Sequence, residues 1–491
     1  MRHKNKEIFK NKIYAHFDTR KKVYGVKDYI YDKRKIKQHS FYPFVLNVHE
    51  IKKFNKENYL LSKIDISDLK RKNKVYKEKK RNIMFSSHID RYIYQLYNYR
   101  LNEKYNKYVK NKGINKCSVA YRNNLGDSNI NISHDVFDFI IKAKECYIIV
   151  GDFKDFFEQL DHKYLKKMLL KILDKKSLDD DYYAVFKNIT KYSYFDLKDL
   201  CEIANIKKKD IFKFDVVVDE YTKKKEYVFE VEKIISLQEM KQNKRIYIRS
   251  NKNGKGIPQG SAISSVLANI YMIDADKSIN DFVTSNKGLY RRYSDDFIAV
   301  IPNKDEKSFK EIIDVIKNIL ANNGNPELKD EKTGIFYYNE NKIYNLNETF
   351  LDNVKNVKNE LDYLGFTFNG NQIKIRDKTM SKYYYRMYRK IKTIALCHGI
   401  SKNGKKISFE EVYKLYSIKG KNSDKGNFIT YTERCEEIFK DLGCFVSYKR
   451  RFMDKLKSRF NKENKKYKNT NLIRYYSSIK SKKNKGIKNK I

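Results

Sequence analysis

The chain has 491 residues, 41% of them hydrophobic, and carries 106 Lys and Arg against 61 Asp and Glu, a formal net charge of +45. That length can bury the cores of two or three ordinary domains, and a charge so far beyond what solubility requires calls for a polyanionic partner, nucleic acid first. An AT-rich coding bias accounts for part of the Lys count but not for the shortage of acids, and no apolar run approaches the roughly 18 residues of a membrane span, so no membrane partner is expected.

Residues 1 to about 80 read as a basic N-terminal extension. It is charged from Arg2 through Lys12 with no signal-peptide core, and its apolar clusters, such as Phe41-Tyr-Pro-Phe-Val45, can each support a strand or a short helix. From Ser87 to Val109 the spacing of Ile89, Ile93, Leu96, Tyr97, Leu101, Tyr105 and Tyr108 predicts an amphipathic helix. Cys146-Tyr-Ile-Ile-Val150 predicts a strand running into Gly151-Asp152, and Leu165 to Ile172 a helix. A charged stretch from about 174 to 253 reads as an insertion holding a hairpin, Phe214 to Val218 and Tyr227 to Val231. Ser261 to Ile273 predicts a helix of small and apolar residues, Tyr290 to Ile301 a hairpin around Ser294-Asp295-Asp296, and Ser308 to Leu320 a further helix. Beyond about 371 the chain turns to basic, Tyr-rich helices, Ser381 to Leu396 and Tyr431 to Phe460. Asn461 to Ile491, with Glu463 its one acid, reads as a basic tail. The six cysteines (Cys117, Cys146, Cys201, Cys397, Cys435, Cys444) form no CxxC pair, so neither a zinc module nor a disulfide framework is signalled, and a reducing cytoplasm is the simplest location.

Two-metal phosphoryl transfer needs carboxylates on separate strand ends brought together. Asp152 directly follows a buried-type strand, and Asp295 and Asp296 sit at the tip of a compact hairpin. Taken singly, an Asp-Asp pair is more often a solvated turn, Lys332 an ordinary surface lysine and Phe157 plain core. The order of motifs changes that weighing. Gly151-Asp-Phe-Lys-Asp-Phe-Phe157, Gly256-Ile-Pro-Gln-Gly-Ser-Ala-Ile-Ser264, Tyr293-Ser-Asp-Asp296, Glu331-Lys-Thr333 and Tyr363-Leu-Gly-Phe366 resemble, in order and spacing, the palm motifs of reverse transcriptases. The resemblance spans roughly residues 80 to 390 and is nearest the bacterial retron, abortive-infection and defence-associated branch. Ser265, where many group II intron and retron enzymes have proline, points to the defence-associated members.

The resemblance implies an α+β right-hand polymerase with fingers, a ferredoxin-like palm, a helical thumb and a C-terminal α-helical region. Fingers and palm would occupy 81–370, the thumb and C-terminal region 371–460, and the basic tail 461–491. Asp152 and Asp295 would be the principal ligands of Mg²⁺ (or Mn²⁺), with Asp296 an auxiliary carboxylate and Lys332 the acid that protonates pyrophosphate. Phe157 would be the steric gate against a ribose 2′-hydroxyl, since an aromatic ring fills the space and accepts no hydrogen bond. Gln259 would face template and incoming nucleotide, and Arg81, Phe153 and Gly260 complete the substrate contacts. Tyr121-Arg122, after Ser118-Val-Ala, resembles a fingers motif with no catalytic role assigned, and Tyr363 to Phe366 a primer grip. The implied partners are a non-coding RNA template, the DNA product and deoxynucleoside triphosphates, in an antiviral defence role. Oligomeric state, a homo-oligomer included, and initiation on a protein tyrosine stay open. A group II intron maturase that chiefly binds RNA, an RNA-dependent RNA polymerase, a template-independent DNA polymerase and a non-catalytic RNA-binding scaffold are the competing readings.

Overall fold

The computed structural model describes residues 8–54, 76–122, 124–218, 225–351, 358–397, 408–417 and 426–448, and beyond them 452, 454–456, 458, 459 and 462. The expected basic tail and the Lys449-Arg-Arg451 run lie outside the described residues, apart from position 462.

A hairpin of β1 (Phe44–Phe54) and β2 (Tyr76–Phe85) leads into α1 (His88–Asn111). Ser87 caps this helix by accepting a hydrogen bond from the Asp90 amide at 3.2 Å, and Ile93, Leu96, Tyr97, Leu101 and Tyr105 form its buried stripe. Helix α2 (Asn129–Ala143) opens on a capping box between Ser128 and Asn131, ends before Lys144 at φ 61°, and so turns the chain into β3 (Glu145–Asp152). Next come α3 (His162–Leu173), α4 (Asp180–Thr190), β4 (Ser193–Asp196), the hairpin of β5 (Phe214–Val218) with β6 (Lys225–Phe229), and the short β7 (Arg249–Ser250). After α5 (Ser264–Tyr271) and α6 (Ile273–Ser285) the hairpin β8 (Leu289–Tyr293) and β9 (Asp296–Pro302) forms, followed by α7 (Glu306–Asn322), β10 (Gly334–Asn339) and β11 (Lys342–Asn345). A small sheet of β12 (Leu361–Tyr363), β13 (Phe366–Phe368) and β14 (Ile373–Ile375) precedes α8 (Asp377–Cys397), α9 (Phe409–Tyr416) and α10 (Phe428–Ile438).

The palm is an antiparallel sheet in the order β11-β10-β3-β9-β8. Both faces are buried, which is why β3 reads as an unbroken apolar run instead of an alternating one. Tyr147 and Ile149 of β3, with Phe297, Ala299 and Ile301 of β9, enter the core shared with α1, α3, α5, α6 and α7. Cys146 and Ile148, with Ile298 and Val300, enter a second core shared with α2, the small sheet and the thumb helices. This is the right-hand polymerase arrangement, mixed helix and sheet, with the palm sheet clamped between fingers-side and thumb-side layers.

Four expectations need correction. The boundary at residue 80 falls inside β2, and the first 80 residues are no appendage: β1 pairs in parallel with β4, and Tyr14, Ala15, Phe17 and Val45 share a core with Phe195, Leu197, Leu200 and Ile211. Apolar clusters too short to bury themselves are buried against one another, and the stretch expected as an insertion contributes β4 and β7 to the same four-stranded sheet. The helix expected over Ser261 to Ile273 starts only at Ser264, whose Oγ donates to the Pro258 carbonyl at 2.7 Å, and it is renewed as a second helix from Ile273. The helix expected from Tyr431 to Phe460 is broken. Gly443 takes φ 67°, and the chain then runs extended so that the Ile373 amide donates to the Cys444 carbonyl and the Val446 amide to the Ile373 carbonyl, both at 3.0 Å. Among the described residues no helix is long and apolar enough to cross a membrane.

Candidate active site

β3 ends on Asp152, β9 begins on Asp296, and the register pairs these two residues directly, so carboxylates far apart in sequence meet at one end of two adjacent strands. Only Ser294 and Asp295 make the turn between β8 and β9, with Ser294 at φ 61°, a left-handed conformation costly for a residue with a β-carbon. The Phe153 amide donates to the Asp295 carbonyl at 3.0 Å and ties this turn to the chain just past Asp152.

Beneath the turn lies a polar network that is entirely buried. Arg292 is 0% exposed; its Nε and Nη2 donate to the two carboxylate oxygens of Asp276 at 2.8 and 2.7 Å, and its Nη1 donates to the Ser294 carbonyl at 2.8 Å. Tyr290 donates its hydroxyl to the same carboxylate at 2.9 Å. Burial works against the guanidinium charge, but Asp276 more than offsets it and holds the Arg292 pKa above its ordinary value. Sequence reasoning missed Arg292 and Asp276. The available signal was the Arg291-Arg292 pair within a strand arm that ends two residues before the Asp-Asp tip.

The carboxylates open on a cleft of about 410 Å³ lined by Asp152, Asp295, Phe157, Gln259 and Tyr121, with Lys79, Lys80, Arg81, Lys329 and Lys332 among its walls. Lys332 Nζ, on the cleft wall, is ion-paired with Asp152, the opposite charge beside it. Burial, and then the charges of Lys332, Arg81 and Lys329, push the Lys79 pKa down, so this wall holds more positive charge than its own acids neutralise. Lys79 and Lys329 were also missed, being indistinguishable from other lysines in so basic a sequence.

Asp152, Asp295 and Asp296 suit a divalent cation by donor chemistry, since their mutual repulsion is what such an ion relieves. Among the described residues, however, no group of three or more His, Cys, Asp or Glu closes on a point where it could hold a metal ion. Partial burial, followed by the charges of Asp295 and Asp152, pushes the Asp296 pKa up to about 6 from an ordinary 3.8. A raised folded-state value favours the protonated form. The stabilisation it brings is complete below about pH 4 and is lost as the pH rises through about 6. In EDTA, Asp296→Asn is therefore expected to melt above the parent chain by a margin that widens from about pH 4 to about pH 6 and then levels off. A margin independent of pH in thermal melts would show that Asp296 carries no such penalty.

The motif Gly256 to Gly260 locks fingers to palm. The Met84 amide of β2 donates to the Gln259 carbonyl, and the Ile257 amide to the Phe157 carbonyl, both at 2.8 Å. Gly260 at φ 108° would place a β-carbon 2.6 Å from the Met84 carbonyl oxygen, and Gly256 at φ 88° one 2.8 Å from that of Glu158, so only glycine fits either position. Phe157 is half-buried and lines the cleft with Asp152. Phe153 borders the cleft but is only 2% exposed, stacked on Phe156 and Phe297; its side chain is core rather than the substrate contact expected. Arg81 stands exposed on β2 opposite His49 and faces the cleft.

Leu364 and Gly365 form a left-handed turn between β12 and β13, pinned by Asn129 Nδ2 donating to the Leu364 carbonyl at 3.1 Å and the Arg376 amide donating to the Gly365 carbonyl at 2.9 Å. Of the Tyr383-Tyr-Tyr-Arg386 run, Tyr383 is buried among Tyr416, Phe428 and Phe452, whereas Tyr385 is 62% exposed.

The family model described as reverse transcriptase (RNA-dependent DNA polymerase) matches residues 187–368, a span that holds Gln259, Gly260, Asp295, Asp296 and Lys332 and begins after Asp152 and Phe157. No curated protein matches the chain. Among solved structures, apo telomerase from Candida tropicalis, truncated of its C-terminal domain, matches at 15% identity and TM-score 0.38 over 62% of this chain and 54% of that one. Telomerase from Candida tropicalis with a fragment of telomeric RNA matches at 16% and 0.36 over 87% and 59%. Telomerase from Candida albicans with such a fragment matches at 13% and 0.34 over 87% and 64%. The chain thus spans less than two thirds of the length of these structures. The chain carries a reverse transcriptase (RNA-dependent DNA polymerase) domain.

Proposed function

We propose that the protein adds deoxynucleotides to a primer end by copying RNA. The observation that supports this best is the pairing of Asp152 with Asp296 across β3 and β9, with Asp152 and Asp295 lining a cleft walled by Lys79, Arg81, Lys329 and Lys332. Asp152, Asp295 and Asp296 would hold Mg²⁺, or Mn²⁺, which lowers the pKa of the attacking 3′-hydroxyl and neutralises the triphosphate. Arg81, with its forked donors, and Lys79 and Lys329 would bind phosphate oxygens, and Lys332, on the same wall, would give a proton to the departing pyrophosphate. Gln259 faces the nucleotide pocket from a backbone fixed at both ends.

The finer reading rests on the motif resemblance: a cytoplasmic antiviral defence enzyme working with a dedicated non-coding RNA. The thumb and C-terminal region would hold that RNA through exposed aromatics such as Tyr385 together with basic side chains. The test is primer extension by the full-length chain on an RNA template with Mg²⁺, beside sequencing of the RNA that co-purifies. Extension with deoxynucleotides and one enriched RNA species are expected; no extension on any RNA template would overturn the polymerase reading, and a random RNA population the dedicated-RNA reading.

Phe157 gives the same reaction a signature in sugar choice. Phe157→Ala vacates the space of a 2′-hydroxyl, and incorporation of ribonucleotides relative to deoxynucleotides is expected to rise by roughly tenfold or more in single-nucleotide addition assays. An unchanged ratio would make Phe157 core.

A further inference from the structure

Tyr121 has none of the usual reasons for its position. It is 48% exposed, it lies in the left-handed backbone region at φ 62°, and it lines the cleft with Asp152, Asp295, Phe157 and Gln259. Its ring centroid lies 6.4 Å from that of Tyr293, the residue before the Ser294-Asp295 turn. A tyrosine in a left-handed turn is strained where glycine would not be, and such strain persists only where the surroundings over-determine it.

The surroundings here do so from both sides. Just after it, buried Arg122 donates from Nε to Asn106 Oδ1 at 2.8 Å, from Nη2 to Asn115 Oδ1 at 2.6 Å and from Nη1 to the Ser118 carbonyl at 3.0 Å, with its guanidinium over the Tyr105 ring. Just before it, the carbonyl of fully buried Ala120 accepts from Asn269 Nδ2 at 3.0 Å, and the Val119 amide donates to the carbonyl of Arg292 at 3.0 Å. Tyr121 is thus the exposed residue of a segment whose neighbours are fastened to α5 and to β8. The same framework that steadies the Asp295 turn through Arg292 steadies this ring.

We propose that Tyr121 is a stacking platform for a nucleobase at the reacting primer end, a role that rests on the polymerase reading above. The chemistry favours a base over a phosphate or sugar. Phosphates are served by the basic wall and the sugar by Phe157, and what remains is the exposed, flat ring of Tyr121 on a rigid support. Stacking on such a face is indifferent to sequence, as a polymerase requires, because every base has a π-face. Tyr293, partly exposed and tilted at 42° to Tyr121, widens the surface toward the carboxylates.

The experiment separates ring from strain. In the full-length chain, Tyr121→Gly suits the left-handed backbone and is expected to melt at or above the parent chain, yet its KM for primer–template should rise by roughly tenfold or more with kcat changed less. Tyr121→Phe should keep parental behaviour. With a dideoxy-terminated primer, 2-aminopurine placed at the primer terminus, or at its partner in the template, should change fluorescence on binding the parent chain and the Phe variant but not the Gly variant; the position that responds identifies the strand. A Gly variant with parental KM and fluorescence change, or a Phe variant as impaired as Gly, would overturn the proposal. Should the parent chain extend no primer, the polymerase reading fails, and the fluorescence arm still decides whether this ring stacks on a base.

Discussion

Asp295→Asn is expected to reduce nucleotide addition at least a hundredfold, on the scale seen when a charge-stabilising group is removed from an active site, while leaving the fold in place. The substitution is nearly isosteric, and the bond that anchors this residue, from the Phe153 amide, goes to its backbone carbonyl at 3.0 Å and survives the change. What is lost is the charge on a side chain lining the cleft beside Asp152. The variant should therefore match the parent chain in circular dichroism and in affinity for RNA, which is set by the basic surface, and fail only in extension. The measurement is single-turnover primer extension in Mg²⁺ at matched concentrations. Rates within tenfold of the parent would remove Asp295 from the catalytic set, and the assignment of the palm floor with it.

What the sequence could reveal was whatever is encoded locally. Cys146 to Val150 and the arms around Ser294-Asp295-Asp296 are short runs whose strand character and turn chemistry lie in adjacent residues, and the glycines of Gly256 to Gly260 announce backbone that no other residue can follow. Asp152, Asp295, Phe157 and Gln259, all read from those segments, do border one cleft. What the sequence could not reveal was partnership at a distance. The parallel pairing of Leu46 with Asp196 joins residues that look like unrelated fragments of an extension and an insertion, and neither fragment has an apolar face large enough to identify it alone. Phe153 shows the same limit in reverse. Its motif suggests a substrate contact, but Phe156 and Phe297 close over it, and Phe297 comes from the strand on the other side of the active site. The break at Gly443 depends on β14 offering Ile373 as a partner, which no periodicity in the last helices could foretell.

Arg292 is where stability and catalysis become separable. Arg292→Met keeps the apolar stem but leaves the Asp276 carboxylate buried without a countercharge, and breaking a buried pair in this way costs about 3–5 kcal/mol. The urea midpoint should fall steeply, and the paired variant Arg292→Met with Asp276→Leu should recover most of that loss, because no unpaired charge remains and two apolar side chains of similar volume fill the space. The Tyr290 hydroxyl would lose its acceptor, a residual cost of about 1–3 kcal/mol. Activity should not recover in parallel. The bond from Arg292 Nη1 to the Ser294 carbonyl is absent from both variants, and it holds a turn whose φ of 61° is otherwise disfavoured for serine. The double variant is thus expected to be folded yet slow in primer extension, with its deficit in kcat more than in KM for nucleotide, since the displaced group is Asp295 rather than the phosphate-binding wall. A double variant restored in both stability and kcat would show that the buried pair serves packing alone. A single variant as stable as the parent would show that Asp276 finds another partner once Arg292 is gone.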